Sequence, residues 1–275
     1  MKTETLIHPM AVVEAGAQIG QGARIGPFCH VSAEAVIGDR VELFSHVSVM
    51  GATSIGASTK VYPMAVLGAP PQNNKHKGGR TTLIIGQNCT IRESVTMHLG
   101  TDTSRGETTI GDNGNFLAYV HIAHDCVVGK NATFANGATL GGHCEVGDNV
   151  YIGGLTALHQ FVRAGDNAFI GGCSAVVGDV IPYAIVSGNH AKLRGLNIVG
   201  LKRAGLPRAD IYLLRSAYRK LFDSSHTLAE NIELAKAEFS SSPIAMKIID
   251  FIASRGKRQY TVPPLKGSGA ADDED

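Results

Sequence analysis

Tryptophan is absent from this chain of 275 residues, aromatic residues reach only 6%, and charged residues only 18%. So few bulky rings argue against a thick sandwich or a helical bundle as the main body. A net charge of +1 excludes a disordered polyelectrolyte and a nucleic-acid binder recruited by bulk charge. The last four residues, Asp272, Asp273, Glu274 and Asp275, are all acidic. Without them 20 acidic residues face 25 basic ones, which makes the remaining body mildly basic at +5. No stretch approaches the ~18 continuous apolar residues of a membrane span, and Met1 to His8 lacks a basic-then-apolar leader. A cytoplasmic protein without membrane insertion is expected. None of Cys29, Cys89, Cys126, Cys144 and Cys173 lies in a CxxC pair and their number is odd, so reduced thiols are expected.

What the chain has in abundance is glycine, at 33 residues, and a period of six. Aliphatic residues recur at Ile7, Val13, Ile19, Ile25, Val31, Ile37, Leu43, Val49, Ile55, Val61 and Leu67, and the same phase resumes at Ile85, Ile91 and Met97. The phase then slips by one and runs from Ile110 and Phe116 through Ile122, Val128, Phe134 and Leu140 to Val176. Neither a helix nor an alternating strand has this period. Gly often follows the aliphatic residue, and a small residue often stands four after it. Cys29, Cys89, Cys126 and Cys144 occupy that small slot, which marks them as compact fillers rather than nucleophiles. Each hexapeptide reads as a short strand and a turn, and three make a coil of eighteen residues stacked at roughly 4.8 Å. The expected fold is an all-β solenoid, a parallel β-helix of about ten coils over residues 1–191. Two polar stretches without the repeat, Gly68 to Thr82 and Leu99 to Thr109, read as loops thrown off a corner, the first favoured as functional.

After Pro182 the pattern changes. Ile211, Leu214, Tyr218, Leu221 and Phe222 fall at helical spacing, Thr227 to Glu230 forms a capping box, and Ser242-Pro243 opens a further helix. A helical domain is expected over 192–258, followed over 259–275 by a disordered acidic tail.

Eleven histidines are present, and His121, His124, His143 and His159 crowd into two or three consecutive coils. Adding eighteen to 124 gives Gly142, and adding eighteen again gives Gln160. These three form a column on an outer edge, off the inward aliphatic positions. Three functions suit such a column. An imidazole base beside an exposed backbone N–H suits acyl transfer. Clustered histidines also suit a zinc site of the carbonic-anhydrase kind. Polar pairing across a trimer interface needs no chemistry at all.

The runs His121-Ile122-Ala123-His124-Asp125-Cys126, Gly141-Gly142-His143, Ala157-Leu158-His159-Gln160-Phe161 and Gly188-Asn189-His190, with Asn197 and Gly200-Leu201-Lys202-Arg203, resemble the acyl-carrier-protein–UDP-N-acetylglucosamine O-acyltransferase family, which begins lipid A synthesis. Ile91-Arg92-Glu93-Ser94-Val95-Thr96 and Gly26-Pro27-Phe28-Cys29 are similar as well. The resemblance covers nearly the whole chain. It implies left-handed coiling and a cytoplasmic homotrimer with active sites between subunits. It also implies transfer of a (3R)-hydroxyacyl chain from the phosphopantetheine of acyl carrier protein to the 3-position of the UDP-sugar. No bound cofactor or metal is implied. Carried over residue by residue, His124 is the general base, Asp125 orients it, and the Gly142 amide donates to the oxyanion. Gln72, Asn73, Lys75, His121, His143, His159 and Gln160 surround sugar and acyl chain. Phe169 and Gly172 set acyl length, and His190, Asn197 and Arg203 reach the nucleotide. The chain departs from the family pattern at Asn73, where Asp is usual, at Val199 for an acidic residue, and at Ala204 for a second Arg. The alternatives are the same reaction on a 3-amino UDP-sugar, a hexapeptide-fold carbonic anhydrase, the related N-acyltransferase, and a solenoid without catalysis.

Overall fold

A computed structural model describes residues 4–254 and 256–264. Short strands, mostly of two residues, repeat from Leu6–Ile7 onward and stack in parallel, in register, into three sheets. Among the described residues the sheets hold eleven, nine and eight strands, and they begin at Leu6–Ile7, Val12–Val13 and Gln18–Ile19. The expected stacking by eighteen is seen directly, as in His121 opposite Thr139 and Ile122 opposite Leu140. The period exists because every sixth side chain points into the prism. Ile25, Val31, Ile37, Leu67, Ile91, Met97, Ile122 and Leu140 are all at most 2% exposed, and this continuous apolar column supplies the main driving force for folding. Cys29, Cys89, Cys126 and Cys144 are buried free thiols, as the small slot requires, while Cys173 is exposed.

The turn residue three after the aliphatic one has a positive φ, near 54–67°, at eighteen non-glycine positions. Asn tolerates that conformation best among them. At one corner Asn113, Asn131 and Asn149 stack through side-chain amide hydrogen bonds of 3.1 and 3.0 Å. At another corner the same position is taken by Asp125 and His143. Both long loops, residues 70–81 and 99–106, leave from this second corner, between the second and third sheets. They therefore overhang the column that carries His124. His76 Nδ1 to Asp102 Oδ1 at 3.1 Å ties one loop to the other.

The chain leaves the β-helix through an antiparallel pairing of Ala184–Ser187 with Lys192–Leu196. Four helices follow: α1 (Ile198–Arg203), α2 (Arg208–Leu221), α3 (Leu228–Phe239) and α4 (Pro243–Ala253). The Thr227/Glu230 capping box and the Ser242 cap with Pro243 at the first turn are both present. The short α1 had no signal in the periodicity. Residues 259–264, expected within a disordered tail, are described. Gln259 O accepts from Asp179 N at 2.7 Å and Thr261 N donates to Asp179 O at 2.8 Å, so this segment pairs with the last coil. The acidic residues beyond 264 lie outside the described residues. Among the described residues no helix is long and apolar enough to cross a membrane.

Candidate active site

His124 and Asp125 are the two central residues of a turn between the second and third sheets. Asp125 is fully buried and His124 is 8% exposed. His124 Nδ1 lies 2.8 Å from Asp125 Oδ2. The carboxylate also accepts from Thr101 N at 3.0 Å, Thr101 Oγ1 at 2.7 Å and Gly106 N at 3.2 Å, all on the second loop. Burial alone would push the Asp125 carboxyl up, but the Thr101 and His124 hydrogen bonds outweigh it and hold it below its ordinary value. Asp125 is thus ionised and acceptor-only, so the proton on His124 sits on Nδ1 and leaves the Nε2 lone pair facing out. Asn73 Nδ2 lies 3.3 Å from that Nε2 and donates to it. Asn73 Oδ1 in turn accepts from Lys75 N at 2.9 Å, which fixes the amide's orientation.

Gly142 lies one coil above. A Cβ built there would stand 2.6 Å from His124 Cε1 and 2.8 Å from Nε2. The glycine is required first by the imidazole, which packs closely against its backbone. Elsewhere in the solenoid the equivalent turn N–H is capped by a carboxylate from a neighbouring coil: Lys130 N by Asp148, Asp148 N by Asp166, and Ala33 N by Glu14. Above Gly142 the corresponding residue is Gln160. Among the described residues the Gly142 N–H has no hydrogen-bond acceptor. A turn amide built to meet negative charge therefore stays unused beside the imidazole that carries Nε2.

Around this pair the cleft holds about 680 Å³ and is lined by Gln72, Asn73, Lys75, His143, Gln160 and Lys257, among others. His143 meets His124 edge-on at 5.0 Å between centroids and stacks on Phe161 at 4.4 Å. Burial lowers the His143 pKa despite the pull of Asp125, with His124, Lys257 and Arg105 adding to the fall. His121 donates to or accepts from Thr96 Oγ1 at 2.8 Å, and burial with His98 and His124 nearby lowers its pKa to about 4. Both rings are neutral near pH 7. His124, Asp125 and His143 also form a group close enough to hold one metal ion. The Asp125 oxygens are already engaged by Thr101, Gly106 and His124.

Of the residues expected from the sequence, Gln72, Asn73, Lys75, His121, His124, Asp125, Gly142, His143 and Gln160 come together at this corner. His159 turns aside and accepts from the Arg258 guanidinium. Phe169 and Gly172 lie at a different corner, between the first and second sheets, with Phe169 stacked on Tyr151 at 5.0 Å. His190 lines a second cavity next to Lys257 and Arg258. Asn197 caps α1, its Oδ1 accepting from Gly200 N at 3.0 Å, and Arg203 is exposed at the far end of that helix. The sequence reading missed Thr101, Ser104, Phe161 and Lys257. Thr101 and Ser104 lie in a loop without periodicity, and Lys257 reaches the cleft from beyond the last helix.

A family signature described as UDP-N-acetylglucosamine O-acyltransferase, domain 2, matches residues 179–260, and the six-repeat bacterial transferase hexapeptide signature matches 107–142. The acyl-[acyl-carrier-protein]–UDP-N-acetylglucosamine O-acyltransferase of Mesorhizobium japonicum is 82% identical over all of this chain and 99% of its own. The protein of the same name from Brucella ovis is 57% identical over 99% of both. The chain belongs to this acyltransferase family. Among solved structures, the UDP-N-acetylglucosamine acyltransferase of Campylobacter jejuni shares 39% identity with a TM-score of 0.88 over 94% of this chain and 100% of its own. The Francisella novicida enzyme shares 32% with a TM-score of 0.91 over 98% and 100%. The fold is accordingly the left-handed parallel β-helix with a small helical region after it. These relatives do not favour the carbonic-anhydrase or 3-amino-sugar alternatives. Two of the three positions noted as departures lie at α1, where Val199 is 59% exposed and Ala204 is the C-cap, and the third, Asn73, lies against His124.

Proposed function

We propose that the chain transfers a (3R)-hydroxyacyl group from the phosphopantetheine thioester of acyl carrier protein to the 3-hydroxyl of UDP-N-acetylglucosamine. The observation that carries the mechanism is the His124 Nε2 lone pair beside the uncapped Gly142 N–H. Nε2 takes the proton from the sugar hydroxyl as its oxygen attacks the thioester carbonyl. Negative charge develops on the carbonyl oxygen, where the Gly142 N–H meets it. The C–S bond then breaks, the imidazolium returns its proton to the thiolate, and a sugar ester and a free thiol remain. Asp125 stabilises the imidazolium while Nδ1 stays bound to it. Asn73, Gln72, Lys75, His143 and Gln160 are the proposed sugar and acyl contacts, and His190, Asn197 and Arg203 the nucleotide contacts.

The separation of Phe169 and Gly172 from His124 within one chain fits a homotrimer in which the acyl groove runs between neighbouring copies. The exposed stripe at that corner, with Tyr119 70% and Leu155 72% accessible, is the face such a partner would cover. The basic body suits docking of an acidic carrier protein, and a cytoplasmic setting suits both substrates. The test is acyl transfer from an acyl-carrier thioester to UDP-N-acetylglucosamine by the purified protein. Product formed by wild type and lost in His124→Ala supports the reading, and equal rates contradict it.

A further inference from the structure

The segment after α4 crosses back over the β-helix and enters the catalytic cleft from above. Its path is fixed at three points. Gly256 runs against the half-buried Arg163–Asp179 ion pair of 2.7 Å, where a Cβ would stand 2.5 Å from Arg163 Nε. Gln259 and Thr261 pair with Asp179 as described, and a Cβ at Gly178 would meet Gln259 O at 2.6 Å. Arg163 also donates to Phe251 O and Ser254 Oγ at the end of α4. Between these anchors stand Lys257 and Arg258.

Lys257 Nζ lies 4.2 Å from the Phe161 ring centroid, Phe161 stacks on His143, and His143 meets His124. A single line of rings thus joins this ammonium to the imidazole whose Nε2 faces the cleft. Arg258 Nε donates to Gln160 O at 2.9 Å on the same coil. Lys257 lines both the cleft and an adjoining cavity of about 580 Å³, which Arg258, Lys192 and His190 also line. Among the described residues, those lining the two spaces include Lys75, Lys192, Lys257 and Arg258, and no carboxylate. Lys257 is exposed, and its position over an aromatic face leaves its charge for a ligand.

The geometry points to Lys257 and Arg258 as a phosphoryl-binding strap, which holds an anionic phosphoryl group of a substrate whose reacting end lies at His124. This rests on the acyl-transfer reading for its setting, since both substrates of that reaction carry such a group. One is the pyrophosphate of the sugar nucleotide and the other is the phosphodiester of phosphopantetheine. A planar guanidinium suits bidentate contact with phosphoryl oxygens, and the ammonium serves as a point charge beside it.

The test compares wild type with Lys257→Ala/Arg258→Ala, with the charge-conserving Lys257→Arg as a check on folding. KM is measured for UDP-N-acetylglucosamine, for an acyl-phosphopantetheine donor and for the same donor lacking the phosphate. Loss of one charge-assisted contact of ~1.4 kcal/mol corresponds to about tenfold in affinity, so KM for one of the two phosphorylated substrates should rise roughly tenfold or more. A rise confined to the sugar nucleotide assigns the strap to its pyrophosphate. A rise for the phosphorylated donor that vanishes without its phosphate assigns it to the carrier arm. Lys257→Arg should restore most of the affinity. Unchanged KM values for all three overturn the proposal. Binding of inorganic pyrophosphate, measured by calorimetry, keeps the two readings apart. A wild type that binds pyrophosphate but transfers no acyl group refutes the reaction, and the strap still stands or falls by whether the double variant loses that binding.

Discussion

The backbone of Gly142 and the imidazole of His124 occupy one contact: a Cβ on the glycine would stand 2.6 Å from Cε1 of the ring. The glycine therefore serves two purposes, making room for the base and presenting its own N–H beside the ring. Gly142→Ala keeps the N–H but sets a Cβ against the imidazole, so kcat should fall by about 10²–10⁴, the range for loss of a general base. Steady-state kinetics with both substrates saturating reads this, and a crystal structure of the variant should show the ring rotated. A kcat within twofold of wild type would mean that the close packing of His124 on Gly142 does not position the base.

Thr101 holds Asp125 through both its N–H and its hydroxyl. Thr101→Val removes the hydroxyl at nearly constant volume and leaves a buried carboxylate short of one donor. A stability loss of about 1–3 kcal/mol is expected, read from urea unfolding midpoints. kcat should fall with it, because the orientation of His124 depends on this carboxylate. A variant as stable and as active as wild type would show that Gly106 and the Thr101 amide suffice.

Asn73→Asp places a carboxylate against His124 Nε2. A nearby negative charge favours the imidazolium over the neutral ring. The imidazolium cannot take a proton, so the acid limb of the kcat/KM profile should move to higher pH. Activity near neutral pH should drop and recover as pH rises. An unmoved acid limb would separate Asn73 from the base.

The histidine cluster sets a pH limit on stability. Burial depresses the pKa of His121 to about 4, and those of His98 and His143 fall in the same direction. The unfolded chain binds these protons near the ordinary histidine value of 6.5, so it takes up more protons than the native state below that pH. Stability from these groups is complete above about 6.5 and is lost as pH falls toward 4. Melting temperature at pH 7.5, 6 and 5 should decline, and His121→Gln should flatten the decline. A melting temperature independent of pH over this range would contradict the burial argument.

Gly172 offers no side chain at the corner proposed to end the acyl groove, and a Cβ there would meet Gly154 O at 3.2 Å. Gly172→Met should fill the space and shift preference toward shorter chains. Competition between donors of different length measures the shift. An unchanged preference removes Gly172 from the acyl site.

Much of this was legible beforehand because a solenoid turns sequence spacing directly into spatial neighbourhood. The eighteen-residue step alone put His124, Gly142 and Gln160 in one column, and the hexad placed four cysteines inside. The same logic ends where the repeat ends. Thr101 belongs to a loop of no fixed period, so its hold on Asp125 was hidden, although the resemblance had named Asp125 itself. Lys257 and Arg258 reach the cleft by a chain reversal after α4, so no spacing rule links them to Phe161 or Gln160. The order of residues 259–261 was also hidden, because pairing with Asp179 is a long-range contact that composition does not encode.

The central claim is that His124 Nε2 is the base for acyl transfer to the sugar. The most direct measurement is the single-turnover rate of acyl transfer from acyl carrier protein to UDP-N-acetylglucosamine, for wild type and His124→Ala, at matched occupancy of both substrates. The account predicts transfer by wild type and a rate lower by about 10²–10⁴ in the variant, with melting temperature and oligomeric state retained. A variant that is folded and transfers the acyl group at the wild-type rate would contradict it.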